Sequence, residues 1–145
     1  MDQKPSVGRY ISCIYRNFHI YLHHQLEQYN LGSGQFHFLM MLYHKDGVNQ
    51  ETLAETLNID KATSARAIKK LEEQGYVTRK RDEKDRRNYN IYLTEKAKKL
   101  QPTIKTILQQ WTEQLLQDIT KKEEQYLFTI LEKISKNATE LRKTE

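Results

Sequence analysis

The chain has 145 residues, 37% of them hydrophobic and 30% charged, with a formal net charge of +5. That suffices for one domain with a modest core, and no apolar run approaches the ~20 residues that a spanning helix needs, so no membrane partner is expected. The lone cysteine, Cys13, excludes an internal disulfide framework, and residues 1–10 lack the apolar centre of a signal peptide, so a cytoplasmic location is expected.

In chain order, Ser6 is placed to cap a long helix over 7–29. Val7, Tyr10, Ile11, Ile14, Phe18, Tyr21, Leu22, Leu26 and Tyr29 recur along it at three- and four-residue steps. Leu31-Gly32-Ser33-Gly34 breaks that helix, and Ser33 is expected to cap the next, over 35–45, with Phe36, Leu39, Met40 and Tyr43 as its inner face. Asp46-Gly47 turns the chain into a short helix over 50–57, capped by Asn49, with Leu53, Ala54 and Leu57 apolar. Asn58-Ile59 makes a turn. Asp60 suits the cap of the next helix, 61–74, because its carboxylate can accept the free amides of the first turn, and Gly75 suits its left-handed stop. On this second helix Ala62, Ala65, Ile68, Leu71 and the stem of Lys69 are assigned to the packing side. Thr63, Arg66, Ala67 and Lys70 are assigned to the outer side.

After Gly75 the period changes from 3.6 to 2. Residues 76–81 and 89–93 read as strands, the second with Tyr89, Ile91 and Leu93 on one side, joined by a polar tip over 82–88. Helix, turn, helix and hairpin together form a winged helix-turn-helix. Thr94 caps the following helix, whose apolar positions run from Ala97 through Trp111 to Ile119, with Pro102 expected to bend or break it. Thr120-Lys121-Lys122-Glu123 has the pattern of a capping box for a last helix carrying Leu127, Ile130, Leu131, Ile134, Ala138 and Leu141. The class is mainly α (α+β), one domain over 1–145, with a winged core at 31–94. The flanking segments, 1–30 and 95–145, carry stripes too long for one winged domain to cover, so they are expected to join two copies into a homodimer.

The excess charge is localised. Residues 61–88 hold 10 Lys/Arg and 5 Asp/Glu, which leaves 14 of each (24 less 10, 19 less 5) in the rest of the chain. A basic surplus confined to a groove-reading motif marks a nucleic-acid surface, and the competing reading is a solvated charged face. Arg66 is the leading base reader, because a guanidinium matches guanine O6 and N7. Thr63 and Ser64 suit a thymine methyl, a base edge or phosphate, while Lys61 and Lys70 suit phosphate. Arg86 and Arg87 at the wing tip suit the adjacent minor groove, Asp85 suits a support for Arg87, and Arg79 and Arg81 suit the backbone.

Leu71-Glu72-Glu73-Gln74-Gly75-Tyr76-Val77, then Asp82-Glu83-Lys84-Asp85-Arg86-Arg87, then Ile91-Tyr92-Leu93-Thr94-Glu95-Lys96 resembles the MarR family of bacterial and archaeal transcription regulators. The order and spacing of the three pieces carry the resemblance; Ala97 departs from it where many members carry Gly. The resemblance implies a two-fold dimer joined through its terminal helices. It also implies an Asp-x-Arg wing device, matched by Asp85 and Arg87, and a repressor relieved by a small aromatic or phenolic ligand, an oxidant or a metal. A dimer would lay two second helices in successive major grooves of a pseudo-palindromic double-stranded operator.

For the switch, Arg16 lies among Tyr15 and Phe18 and suits a carboxylate such as a salicylate-like acid; the alternative is an interfacial ion pair. Cys13 suits an oxidation sensor or, alternatively, a buried inert thiol. His19 and His23 stand at zinc-like spacing, with His24, His37 and His44 nearby, but no acid or thiol clearly converges on them, and no metal or cofactor is assigned. No nucleophile–base pair or phosphate loop suggests an enzyme. The remaining alternatives are a winged protein-interaction module and an architectural DNA binder.

Overall fold

The computed structural model describes residues 4–143. The chain divides into two compact units, Met1–Ile107 and Leu108–Glu145. The first opens with α1, Val7–Leu26, where the Ser6 hydroxyl accepts the Arg9 amide at 3.3 Å. One 3-10 turn, Glu27–Tyr29, follows, and Asn30 stops it in the left-handed region at φ 56°. The second helix, α2, spans Ser33–His44. Its N-cap is Gly32 and not the expected Ser33: the Gln35 side chain reaches back to accept the Gly32 amide at 2.9 Å, which starts the helix two residues early. Phe36, Phe38, Leu39 and Leu42 are its buried residues; Met40 and Tyr43, expected inside, are half-buried.

Three short strands follow the winged pattern. Strand β1, Val48–Asn49, pairs antiparallel with β3, Tyr89–Leu93, and β3 pairs antiparallel with β2, Val77–Arg81. The register sets Val48 opposite Ile91, Val77 opposite Leu93 and Arg81 opposite Tyr89. Sequence alternation does not reveal β1, because two residues show no period. Asp46 ties the incoming turn to the sheet, its Oδ1 accepting the Gly47 amide at 3.0 Å and the Leu93 amide at 2.8 Å. Gly47 is required twice over. Its φ is +73°, and a Cβ there would sit 2.8 Å from the Tyr92 ring.

Between the strands run α3, Gln50–Leu57, and α4, Lys61–Glu73. The expected caps form: the Asn49 side chain accepts the Glu51 amide and Asp60 accepts the Thr63 amide, both at 2.8 Å. Gly75 stops α4 at φ +79°. Leu53, Ile68, Leu71, Val77 and Ile91 meet Leu22, Leu26, Leu39 and Leu42 in one fully buried core. Such side chains each contribute about 1.5–3 kcal/mol on leaving water.

Helix α5, Glu95–Leu115, begins at Thr94, whose Oγ1 accepts the Ala97 amide at 3.3 Å and donates to the Gly75 carbonyl at 2.6 Å. Ala97 packs fully buried, and Pro102 sits inside the helix without ending it. Three tyrosines fasten this unit. Tyr21 donates to the Ile107 carbonyl at 2.9 Å, Tyr43 to that of Ala97, and Tyr76 to that of Tyr29. Burial pushes the Tyr43 phenol up to about 12, with Tyr76 adding to it. A phenol raised in the fold favours the protonated folded state, so its contribution is intact below pH 10 and is lost as pH rises towards 12. Urea melts between pH 9 and pH 12 should show stability falling across that window. Tyr43→Phe should flatten the fall while costing about 1 kcal/mol at neutral pH.

The second unit holds the end of α5, a turn with Asp118 at φ 66°, and α6, Lys121–Lys143. The capping box forms reciprocally. Thr120 Oγ1 accepts the Glu123 amide at 3.1 Å, and Glu123 Oε1 accepts the Thr120 amide at 3.0 Å. No residue of α6 is buried, and Tyr126, Phe128, Ile130, Leu131 and Leu141 are exposed. At the other end of the chain Val7, Tyr10, Ile11, Ile14 and Tyr15 are exposed as well. Among the described residues, no helix is long and apolar enough to cross a membrane.

Candidate nucleic-acid interface

Helix α4 is fixed by Ser64, Ala67, Ile68 and Leu71, which are its buried residues. This corrects the assignment of its faces. Ala62 and Ala65 are exposed, and Ala67, expected outside, is 6% exposed. Ser64 is also corrected as a candidate contact. It is 1% exposed, and its hydroxyl donates to the Ile59 carbonyl at 3.4 Å, back towards the turn. A serine so placed packs α4 against the turn and has no surface to offer a groove.

Lys61, Thr63, Arg66 and Lys70 remain outside. The first three of these are held by neighbours. Lys61 Nζ stands 3.3 Å from Glu51 Oε1 on α3. The Asp60 carboxylate receives Thr63 twice, its amide on Oδ1 at 2.8 Å and its hydroxyl on Oδ2 at 2.7 Å. Arg66 Nη2 donates to that same hydroxyl at 3.1 Å. The Thr63 amide first, and then its hydroxyl, hold the Asp60 carboxyl below the usual carboxylate range, with the Arg66 charge adding to them.

The wing shows a comparable arrangement. Asp85 Oδ1 accepts both the Arg87 amide and Arg87 Nε at 3.2 Å, and Oδ2 accepts Asn88 Nδ2 at 3.3 Å. The Arg87 amide and guanidinium keep the Asp85 carboxyl below its ordinary value. The Arg87 side chain is 92% exposed, so this bond directs it without covering it. Arg86 is exposed beside it. A cleft of about 170 Å³ is lined by Gln50, Lys61, Arg87 and Tyr89 among others, which places the start of α4 and the wing tip on one surface.

Arg79 and Arg81 share one face of β2 and meet the same partner, Tyr89 on β3. The Arg79 guanidinium lies 4.9 Å from the ring centroid and that of Arg81 lies 5.7 Å from it, with Arg81 Nε donating to the phenol oxygen at 3.4 Å. Arg79 also pairs with Glu72 of α4 at 3.5 Å. The Arg81 hydrogen bond and charge draw the Tyr89 phenol below its usual value.

Of the candidate sensors, Arg16 is exposed and donates to Ser12 Oγ one turn back. Cys13 is exposed in the single chain, not buried by the chain's own core, and its sulfur accepts Asn17 Nδ2 at 3.6 Å. His19 meets His37 of α2 with ring centroids 5.5 Å apart and packs on Tyr15 at 4.3 Å, while His23 packs on His24. Among the described residues, no three His, Cys, Asp or Glu side chains gather as a metal site.

The MarR family model matches residues 31–89. The chain is also 34% identical over 113 residues to YybA, an HTH-type transcriptional regulator of Bacillus subtilis, a match covering 78% of this chain and 75% of YybA. The chain belongs to the MarR family. A MarR transcriptional regulator from Methanosarcina mazei Go1 has a structure similar to it, with a TM-score of 0.90 and 47% identity, over 93% of this chain and 97% of that one. A MarR-family regulator from Listeria monocytogenes, solved in complex with a 26mer DNA, matches with a TM-score of 0.82 and 30% identity, over 92% of this chain and 89% of that one. The protein is therefore a DNA-binding transcriptional regulator of this family and not an enzyme.

Sequence reading of this MarR-family chain missed two residues. Tyr89 shares its side of β3 with Ile91 and Leu93, as the alternation predicts, but its role in organising Arg79 and Arg81 is not part of that reading; the available signal is an aromatic in the strand facing an Arg-Lys-Arg run. In the sequence Lys96 stands out only as part of the family motif. Its Nζ donates to the Gln74 carbonyl at 2.6 Å, just past α4, and lies 4.4 Å from the centroid of the buried Tyr76 ring. A cation there satisfies carbonyls that the helix end leaves open.

Proposed function

We propose that the protein is a cytoplasmic, homodimeric repressor that binds a pseudo-palindromic duplex operator and is released by a small aromatic acid. The observation that carries the DNA reading is the common surface of α4 and the wing. There Lys61, Thr63, Arg66 and Lys70 stand outside a helix whose other side is buried, and Arg87 projects from the wing under the hold of Asp85. The Listeria relative in complex with DNA supports the same use of the fold. On this reading Arg66 reads a base, and Lys61, Lys70, Arg79 and Arg81 meet phosphates. Arg86 and Arg87 enter a minor groove, and Asp85 supports Arg87. The chain acts as a single MarR-type domain, with the winged core at 31–94 reading DNA and 1–30 and 95–145 forming the dimer.

The test is selection from random duplex DNA. An enriched site should consist of two inverted half-sites about one helical turn apart, roughly 34 Å. Recovery of no preferred sequence would leave the protein an architectural binder or an interaction module.

The effector reading rests on the exposed Arg16 guanidinium, carried on the same helix as Tyr15 and His19, which pack together and, through His19, on His37. Arg16→Ala should leave operator affinity intact and abolish release by aromatic acids. Calorimetry with a panel of such acids checks this, and equal affinities for both proteins would remove Arg16 from the site.

A further inference from the structure

The N-cap of the recognition helix does more than start the helix. Both oxygens of the Asp60 carboxylate are engaged by Thr63, one by its amide and the other by its hydroxyl. That hydroxyl has a single proton, and it is directed at Asp60 Oδ2. Its oxygen lone pairs therefore face away from the carboxylate, and Arg66 Nη2 donates to one of them at 3.1 Å. The three residues fall at consecutive three-residue steps, so they share the exposed rim of the first turn and a half of α4. We infer that Asp60 and Thr63 form a relay that aims Arg66, with Asp60 as a positioning residue for base reading.

The inference rests on Arg66 being a base reader and adds what makes it selective. A guanidinium has five N–H donors. The relay uses Nη2 once and leaves the remaining donors for the paired acceptors of a guanine edge. An arginine already held loses less rotamer freedom when it docks. The relay also accounts for an acid beside a surface meant for phosphates. Asp60 is exposed, and in a uniform field its charge opposes DNA. Tied to Thr63 through both oxygens, the carboxylate acts instead through the hydrogen bonds it anchors. The depressed Asp60 carboxyl is consistent with that tie.

The probes are the duplex that the wild-type protein enriches from a random library and a scrambled duplex of equal length. Thr63→Val removes the hydroxyl but keeps the backbone amide that Asp60 caps, so the helix start survives. It should lower operator affinity about three- to tenfold. Scrambled-duplex affinity, the salt slope and the melting temperature should stay unchanged. Thr63→Ser should restore the operator affinity. Asp60→Asn keeps a good cap but removes the charge, and should weaken operator binding, whereas a simple charge argument predicts tighter binding to both duplexes. The deciding arm is the double substitution. If Thr63 acts through Arg66, Thr63→Val adds nothing in an Arg66→Ala background. Additive losses would mean that the hydroxyl meets DNA directly, and the relay would be overturned. It would be overturned equally if Thr63→Val retained operator affinity within twofold while Arg66→Ala lost it. Loss of no specificity on Arg66→Ala would instead remove the base-reader reading on which the relay depends.

Discussion

On the proposed homodimer reading, Ile130→Glu should convert the dimer to monomers and lower operator affinity by about a hundredfold or more. Ile130 is 51% exposed on α6, in a helix where no residue is buried. A glutamate there faces water in the single chain and disturbs none of the core around Leu39, Ile68 and Ile91. In a two-fold dimer built on α6, the same position meets the partner's copy or its apolar surroundings. Burying an unpaired carboxylate costs several kcal/mol, and the symmetry imposes that cost twice. Operator affinity should fall with it, because a monomer reaches only one of the two major grooves. Sedimentation measures the first effect and fluorescence anisotropy the second. Raising the protein concentration should recover part of the DNA binding, which separates weakened assembly from a damaged reader. A variant that sediments as a dimer and keeps its operator affinity would place the dimer contact elsewhere.

What the sequence made legible was local. The caps at Ser6, Asn49, Asp60 and Thr120 depend on a side chain meeting amides two or three residues away, and all four form. The hairpin limits were legible because the change of period and the polar tip lie within one stretch of chain. The faces of α4 were not. Lys61-Ala62-Thr63-Ser64-Ala65-Arg66-Ala67 offers small residues all round, so hydrophobic contrast cannot choose a side, and the choice passes to tertiary contacts through Ile68 and Leu71. Ser64 reads as a DNA contact because a hydroxyl counts as polar until its acceptor, the Ile59 carbonyl, is visible. Gly32 displaced Ser33 as a cap because the Gln35 side chain, three residues on, supplied the acceptor. The role of Tyr89 depends on cross-strand register, which aligns it with Arg81 and is set by the whole hairpin.

The wing separates two ways in which charge can act on DNA. Arg66→Ala should remove about 1–3 kcal/mol of discrimination, lowering operator affinity far more than affinity for a scrambled duplex. Arg87→Ala should act differently. Its side chain is 92% exposed at the wing tip, where groove width and phosphate charge dominate. Its loss should weaken both duplexes more evenly and make the salt dependence shallower by about one unit for the lost ionic contact. Asp85→Ala is the discriminating variant. Removing an acid makes the wing more positive, so long-range attraction alone predicts tighter binding to any duplex. The geometry predicts the reverse. Asp85 Oδ1 holds Arg87 through both its amide and Nε, and Oδ2 holds Asn88, so the alanine frees the guanidinium and loosens the tip that carries it. Asp85→Ala should therefore resemble Arg87→Ala in milder form, with a salt slope close to wild type because no phosphate contact is deleted. Affinities for operator and scrambled duplex at four or more salt concentrations resolve the three variants. Tighter binding by Asp85→Ala at every salt would mean that the carboxylate acts on DNA only as a repelling charge, and that Arg87 finds its groove without it.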